Sequence, residues 1–210
     1  MLFNLQRMGY DIKELVYSRN VVEFATVAKE YCAFFDNIER YSRIEFVGIA
    51  GKLVPLLYYK ATLLPLNEPL YEEGSQKYVT EDIYEDIRLK IKVLLKQHDD
   101  FPEIFDPRVS ETDEQFTATI SEYLADVYQD LKNFTMLYQK GQVEEMNDAL
   151  WECNTNFREF WGIRLANGLR ALHLLNFSGL DLETDDEDST TESDKDTSNW
   201  FVTRRQNDNI

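Results

Sequence analysis

Histidine and cysteine are almost missing from this sequence, with two of each among 210 residues. That scarcity removes whole classes of chemistry. No Cys or His pairs stand at zinc-ligand spacing, no His-Glu metalloprotease motif is present, and no disulfide framework can be drawn. Cys32 and Cys153 each fall within an apolar helical pattern, where a free thiol behaves as a small buried hydrophobe, so cysteine–histidine catalysis with His98 or His173 is disfavoured. Glycine is sparse too, and none of the eight is arranged as a phosphate-binding loop. No cofactor is predicted.

Cationic charge is short: 22 Lys and Arg face 39 Asp and Glu, giving a net charge of −17. Nucleic-acid affinity rests mainly on phosphate neutralisation by Lys and Arg, so no nucleic-acid partner is expected. An uninterrupted apolar run is also lacking. The best membrane candidate, Phe46 to Leu66, holds Lys52, Lys60, Gly48, Gly51 and Pro55, whereas a spanning helix needs about 20 mostly apolar residues. It reads as a buried core helix, and no membrane partner is expected. The first residues lack the positive start, apolar run and cleavage site of a signal peptide, so a cytoplasmic location is expected. Met8 is an alternative start that leaves the seven residues before it without structural weight.

What is present is apolar and aromatic. Apolar residues make up 43% of the chain and aromatics 13%, enough for one self-sufficient domain plus an appendage. The charge divides unevenly. Residues 1–180 carry 29 acids and 19 bases, while Asp181 to Ser198 carries nine acids and a single Lys195. Such a segment cannot bury enough apolar surface to offset the entropy of ordering. The expected organisation is an N-terminal extension (1–19), a helical bundle (20–179) and a disordered acidic C-terminal tail (180–210).

Helix signals recur along the bundle. Asn20 and Glu23 have the form of a capping box, followed by a stripe of Phe24, Val27, Ala28, Tyr31, Phe35 and Ile38 at helical spacing. Ser42 and Glu45 repeat that signature before a helix that becomes apolar all round from Leu53 to Leu64, the pattern of an element buried on most sides and therefore of a central helix. Pro55 is expected to kink it and Leu64-Pro65 to end it. Thr80 caps a third helix with acids near its start and Lys90, Lys92 and Lys96 toward its end. The run HDDFPEIFDPRVS is a loop. Two long helices follow, from about Thr112 to Gln139 and from about Gln142 to Leu175, with Gly162 a point where the second can break. The short joint at Lys140-Gly141 forces an antiparallel hairpin. No alternating strand pattern is found, and the fold class is all-α: an antiparallel bundle of five or six helices.

Three groups of residues are candidates for function. Glu122, Asp126 and Asp130 stack three carboxylates on one helical face, as helical metal sites do, and Glu145 and Asp148 of the next helix can supply more ligands. A plainer reading is a solvated or ion-paired face, because Leu124, Val127 and Leu131 take the other side. On the last helix Arg164, Asn167, Arg170 and His173 form a polar stripe at steps of three. Antiparallel packing would bring it to those acids as a salt-bridge network, with an anion cleft the rival reading. Trp151 and Trp161 read as core, and His173 alone as a satisfied buried histidine. Beyond the acidic run, WFVTRRQ strands Trp200 and Phe201, which either fold back on the body or present a short linear motif.

The stretches NVVEFATVAKEYCAFFDN, KLVPLLYYKATLLP, LADVYQDLKNF and NDALWECNTNFREFWGIRLANGLRALHLL resemble a bacterial family of unknown function numbered 5063, found chiefly in Bacteroidota. The resemblance implies a small helical cytoplasmic protein and carries no catalytic residue with it. Function is therefore expected from the residues alone. The leading expectation is a non-catalytic protein-interaction or regulatory module with a protein partner, its acidic tail tuning the encounter electrostatically. The alternative is a metal-dependent helical hydrolase of a phosphorylated small molecule, with Glu122, Asp126 and Asp130 as ligands and Arg170 on the anion.

Overall fold

The computed structural model describes residues 11–102 and 117–183. The chain divides into two units, Met1–Leu180 and Asp181–Ile210, and all the elements below belong to the first. They are α1 (Ile12–Val16), α2 (Arg19–Asp36), α3 (Arg43–Thr62), α4 (Glu81–Leu95), β1 (Asp100–Pro102), β2 (Thr117–Thr119), α5 (Ile120–Tyr138), α6 (Val143–Asn156) and α7 (Gly162–Phe177). A single π turn, Phe157–Trp161, joins α6 to α7, and short 3₁₀ turns follow α2 and α4. The all-α expectation holds.

The caps show which local signals acted. Ser42 and Glu45 form the expected capping box of α3, with both reciprocal hydrogen bonds present. Thr80 accepts from the Ile83 N–H to start α4. The Asn20–Glu23 pair is a correction. Helix α2 begins at Arg19, so Asn20 lies inside it and its amide donates to the Leu63 carbonyl at 3.1 Å. Glu23 instead binds Lys60 and Arg19, which hold its carboxyl down at about 2. Ahead of α2, α1 lies within the segment expected to be an extension, and its Val16 is fully buried with its carbonyl bonded to the Tyr138 hydroxyl.

Tertiary packing overrides the sequence reading in two further places. The helix expected from Thr112 starts at Ile120, preceded by a three-residue strand that pairs with β1 and sets Phe101 opposite Ala118. Phe116 and the rest of 103–116 lie outside the described residues. Strands of three residues are too short for an alternating pattern, and this pair is fixed from outside its own sequence. Asp99 accepts from the Ser121 N–H (2.7 Å) and hydroxyl (2.6 Å), and its carbonyl accepts from the Ile120 N–H.

The central helix is α5, not α3. Helix α5 packs on α2, α4, α6 and α7, burying Leu124, Ala125, Val127, Tyr128, Leu131 and Phe134. Helix α3 lies against α2 and α7 and runs through Pro55, leaving Ile44, Leu56 and Tyr59 46, 44 and 57% exposed. An apolar circumference measures composition, whereas burial requires neighbours on every side, and the main neighbours of α3 are two.

The α5–α6 joint is the expected antiparallel hairpin, with Gly141 at φ +75°, where any side chain would be strained. The break after α6 is the π turn. It brings the Phe157 carbonyl so close to Gly162 that a Cβ there would sit 2.3 Å from that oxygen. Trp161, fully buried, spans the turn with its indole N–H on the Cys153 carbonyl at 3.2 Å. Gly48, inside α3, has nothing within 4 Å of the same position. The two glycines should therefore respond oppositely. Thermal unfolding should show Gly162→Ala destabilised by about 2–3 kcal/mol because backbone must move, and Gly48→Ala stabilised by about 0.5–1 kcal/mol through helix propensity.

Candidate functional site

Antiparallel packing of α7 on α5 puts Arg164 beside Asp126, and Gly168 beside Tyr123 and Leu124. The seam between these helices is thus real, but it joins one acid to one base. Arg164 Nη1 lies 2.7 Å from Asp126 Oδ2, while the Tyr84 hydroxyl of α4 donates to Asp126 Oδ1 at 3.0 Å. The guanidinium also stacks over the rings of Phe160 (4.3 Å to the centroid) and Tyr123 (5.3 Å). Burial raises the Asp126 carboxyl against the pull of Arg164.

The other stripe residues go elsewhere. Arg170 donates to the Pro102 carbonyl at 2.8 Å, tying α7 to β1, and Asn167 is buried. His173 is exposed with its ring against Phe177, not the enclosed histidine expected, because its position on α7 faces away from α3 and α5. Trp200 and Phe201 lie outside the described residues.

The carboxylate stack also splits. Glu122 is exposed at the start of α5. Asp130 turns toward α6, where Asn156 donates to its Oδ1 at 2.6 Å. Asp148 is not aimed at them: its two oxygens accept from the Leu70 (2.7 Å) and Tyr71 (2.8 Å) N–H groups, and Glu145 pairs with Lys140. Among the described residues, no three His, Cys, Asp or Glu side chains come together as metal ligands. Both cysteines are free and buried, and burial pushes the Cys32 thiol up to about 12. A thiol so raised is a poor nucleophile.

Asp148 belongs to a set of buried polar residues whose role is structural and was not read from the sequence. The segment 63–79 between α3 and α4 has no regular structure, and α5 and α6 supply its hydrogen bonds. Asn154 holds the Pro65 carbonyl (3.1 Å), Asn147 the Glu68 carbonyl (2.8 Å), and Asn133 the N–H groups of Tyr78 and Val79 (2.7 and 3.0 Å). The available signal was their position: Asn147 and Asp148 interrupt the buried stripe of Met146, Ala149 and Leu150. Asp148→Ala would leave two loop N–H groups without acceptors. Limited proteolysis should then cut within 63–79 at least tenfold faster, with a stability loss of about 2–3 kcal/mol by urea unfolding.

Burial raises the Asp130 carboxyl to about 6, with Asn156 opposing and Glu152 adding to the rise. Its protonated form is the one the fold favours, so this residue makes the protein lose stability as pH rises from about 4, the unfolded value, to about 6, with no further change above. Asp130→Asn keeps the shape and removes the charge. The variant should be more stable than the parent at pH 7.5 by a margin that closes on titration to pH 4, measured as paired urea midpoints.

Two surface depressions among the described residues are large enough to receive a ligand. The larger, about 630 Å³, lies between residues 70–76 and the α5–α6 hairpin. Its walls include Asp148, already spent on the loop, and Lys140 with Glu145, already paired. The smaller, about 500 Å³, is a groove between α2 and α3. Ala33, Phe34, Tyr41, Ile49, Leu53 and Leu56 line it, with Arg40, Lys52 and Glu30 exposed along it. Its signal in the sequence was the all-round apolarity of α3.

These features define a small all-helical domain in which many enclosed polar groups are satisfied internally and in which α2 and α3 leave an apolar groove open at the surface. The chain belongs to the family described as a domain of unknown function (DUF5063), whose model matches residues 15–178. The crystal structure of protein BF1032 from Bacteroides fragilis is similar, at 40% identity and a TM-score of 0.70 over 79% of this chain and 98% of that one. No curated protein matches the chain. Among the described residues, no helix is long and apolar enough to cross a membrane.

Proposed function

We propose that this chain is a non-catalytic interaction module that binds another protein through the face formed by α2 and α3. The α2–α3 groove carries this reading: Ile49 and Leu56 stand 37 and 44% exposed in a groove that Phe34 and Tyr41 also line. An apolar depression with polar side chains beside it is a common form of protein contact surface. Much of the remaining chemistry is already engaged. Asp126, Asp130, Asp148 and Asp99 accept internal hydrogen bonds, and both thiols are buried.

The hydrolase alternative would require Asp126 to leave Arg164 and Tyr84, and Asp130 to leave Asn156, before either could take a metal. Neither a nucleic acid nor a membrane is proposed as partner.

The test is site-specific photo-crosslinking in intact producing cells. A photoreactive residue in place of Leu56 should give a discrete protein adduct, whereas one in place of Val93, 70% exposed on α4, should not. Identical adducts from both positions, or none from Leu56, would sink this reading.

A further inference from the structure

We infer that the segment received by the α2–α3 groove is a short amphipathic helix with large apolar anchors on one side and carboxylates flanking them. This inference rests on the interaction reading above and adds the chemistry of the partner.

The shape of the groove comes from its register. Helix α2 and its C-cap contribute Glu30, Ala33, Phe34 and Asn37, and helix α3 contributes Ile49, Lys52, Leu53 and Leu56. Both sets repeat at three and four residues, the spacing of the ridges that a third helix packs between. From Ile49 to Leu56 the α3 wall rises roughly 10 Å, about two turns of a helical ligand. Phe34 forms part of the floor, 6% exposed and stacked on Phe46 at 5.4 Å, so the floor is already fixed by the core.

The charge comes from Arg40 and Lys52, which, like Lys13 and Lys29, form no ion pair among the described residues. Arg19, Lys60, Lys77, Arg88, Lys90, Lys132, Lys140 and Arg164 all pair with carboxylates within the chain. Arg40 and Lys52 line the groove and form no ion pair among the described residues, although acids outnumber bases 39 to 22. Among the described residues, Glu30 is the one carboxylate that lines the groove. Where carboxylates are in such excess, an unpaired Arg and Lys lining an apolar channel complement an acidic ligand. The net charge of −17 opposes that ligand only weakly at close range, since physiological salt screens exposed charges beyond about 8 Å.

The inference is tested on the full-length, ¹⁵N-labelled chain with two synthetic helical peptides that share one leucine pattern, flanked by Glu in one and Lys in the other. The Glu peptide is expected to shift amides of residues 30–40 and 49–56, and to weaken several-fold when salt rises from about 0.05 to 0.3 M. Arg40→Glu with Lys52→Glu, both exposed, should weaken it about tenfold and reverse the preference between peptides. Leu56→Ser should weaken both peptides alike, and unchanged thermal midpoints establish that the variants are folded. If the Lys peptide shifts the same amides with equal affinity, the acidic-partner inference fails while the docking face stands. If neither peptide shifts them, the inference fails, and the crosslinking at Leu56 decides separately whether the face binds protein at all.

Discussion

Enclosing α5 between α2, α4, α6 and α7 is the constraint on which the rest of this structure depends. A helix surrounded in this way can bury side chains on nearly every face, so each polar group it carries must find a partner within the protein. The consequences run outward. At its start, Ser121 is answered by Asp99, which also fixes the β1–β2 pair. Midway, the Leu124 carbonyl accepts from the fully buried Tyr31 hydroxyl, and Asp126 takes Arg164 and Tyr84. Farther along, Asn133 holds the end of the 63–79 segment. Irregular backbone can lie over this core because α5 and α6 supply the hydrogen bonds it cannot make for itself.

That constraint also shapes what the protein can do. Carboxylates that resemble a ligand set when read along one helix diverge in space, Asp126 to α4 and α7 and Asp130 to α6, because α5 has neighbours on several sides. Helix α3 shows the converse. Its main cover comes from α2 and α7, so its apolar circumference remains in part at the surface beside Phe34 and Tyr41. The binding reading follows from that contrast: polar chemistry is drawn inward to complete the core, while apolar surface is left outside.

The fold class, the caps at Ser42 and Thr80, the α5–α6 hairpin and the break near Gly162 were legible in the sequence. Each is a local event, set within a few residues by backbone hydrogen bonding and side-chain spacing. The Asn20–Glu23 pattern was local too, yet it failed, because Lys60 of α3 and Leu63 at its C-cap offered those side chains better partners than the helix start did. Of the seam, the Asp126–Arg164 contact followed from antiparallel packing. Arg170 and His173 did not join it, since their direction depends on which helices flank α7.

Composition and periodicity by themselves determined that this chain is helical, acidic and poor in the residues of common catalytic chemistry. Only the tertiary structure decided that α5 is central rather than α3, that Asn133, Asn147 and Asp148 hold a loop, and that Arg40 and Lys52 line an apolar groove. The physical reason is that periodicity reports which residues share a face of one helix. What that face meets is fixed by neighbours distant in sequence, and so is whether it meets anything at all.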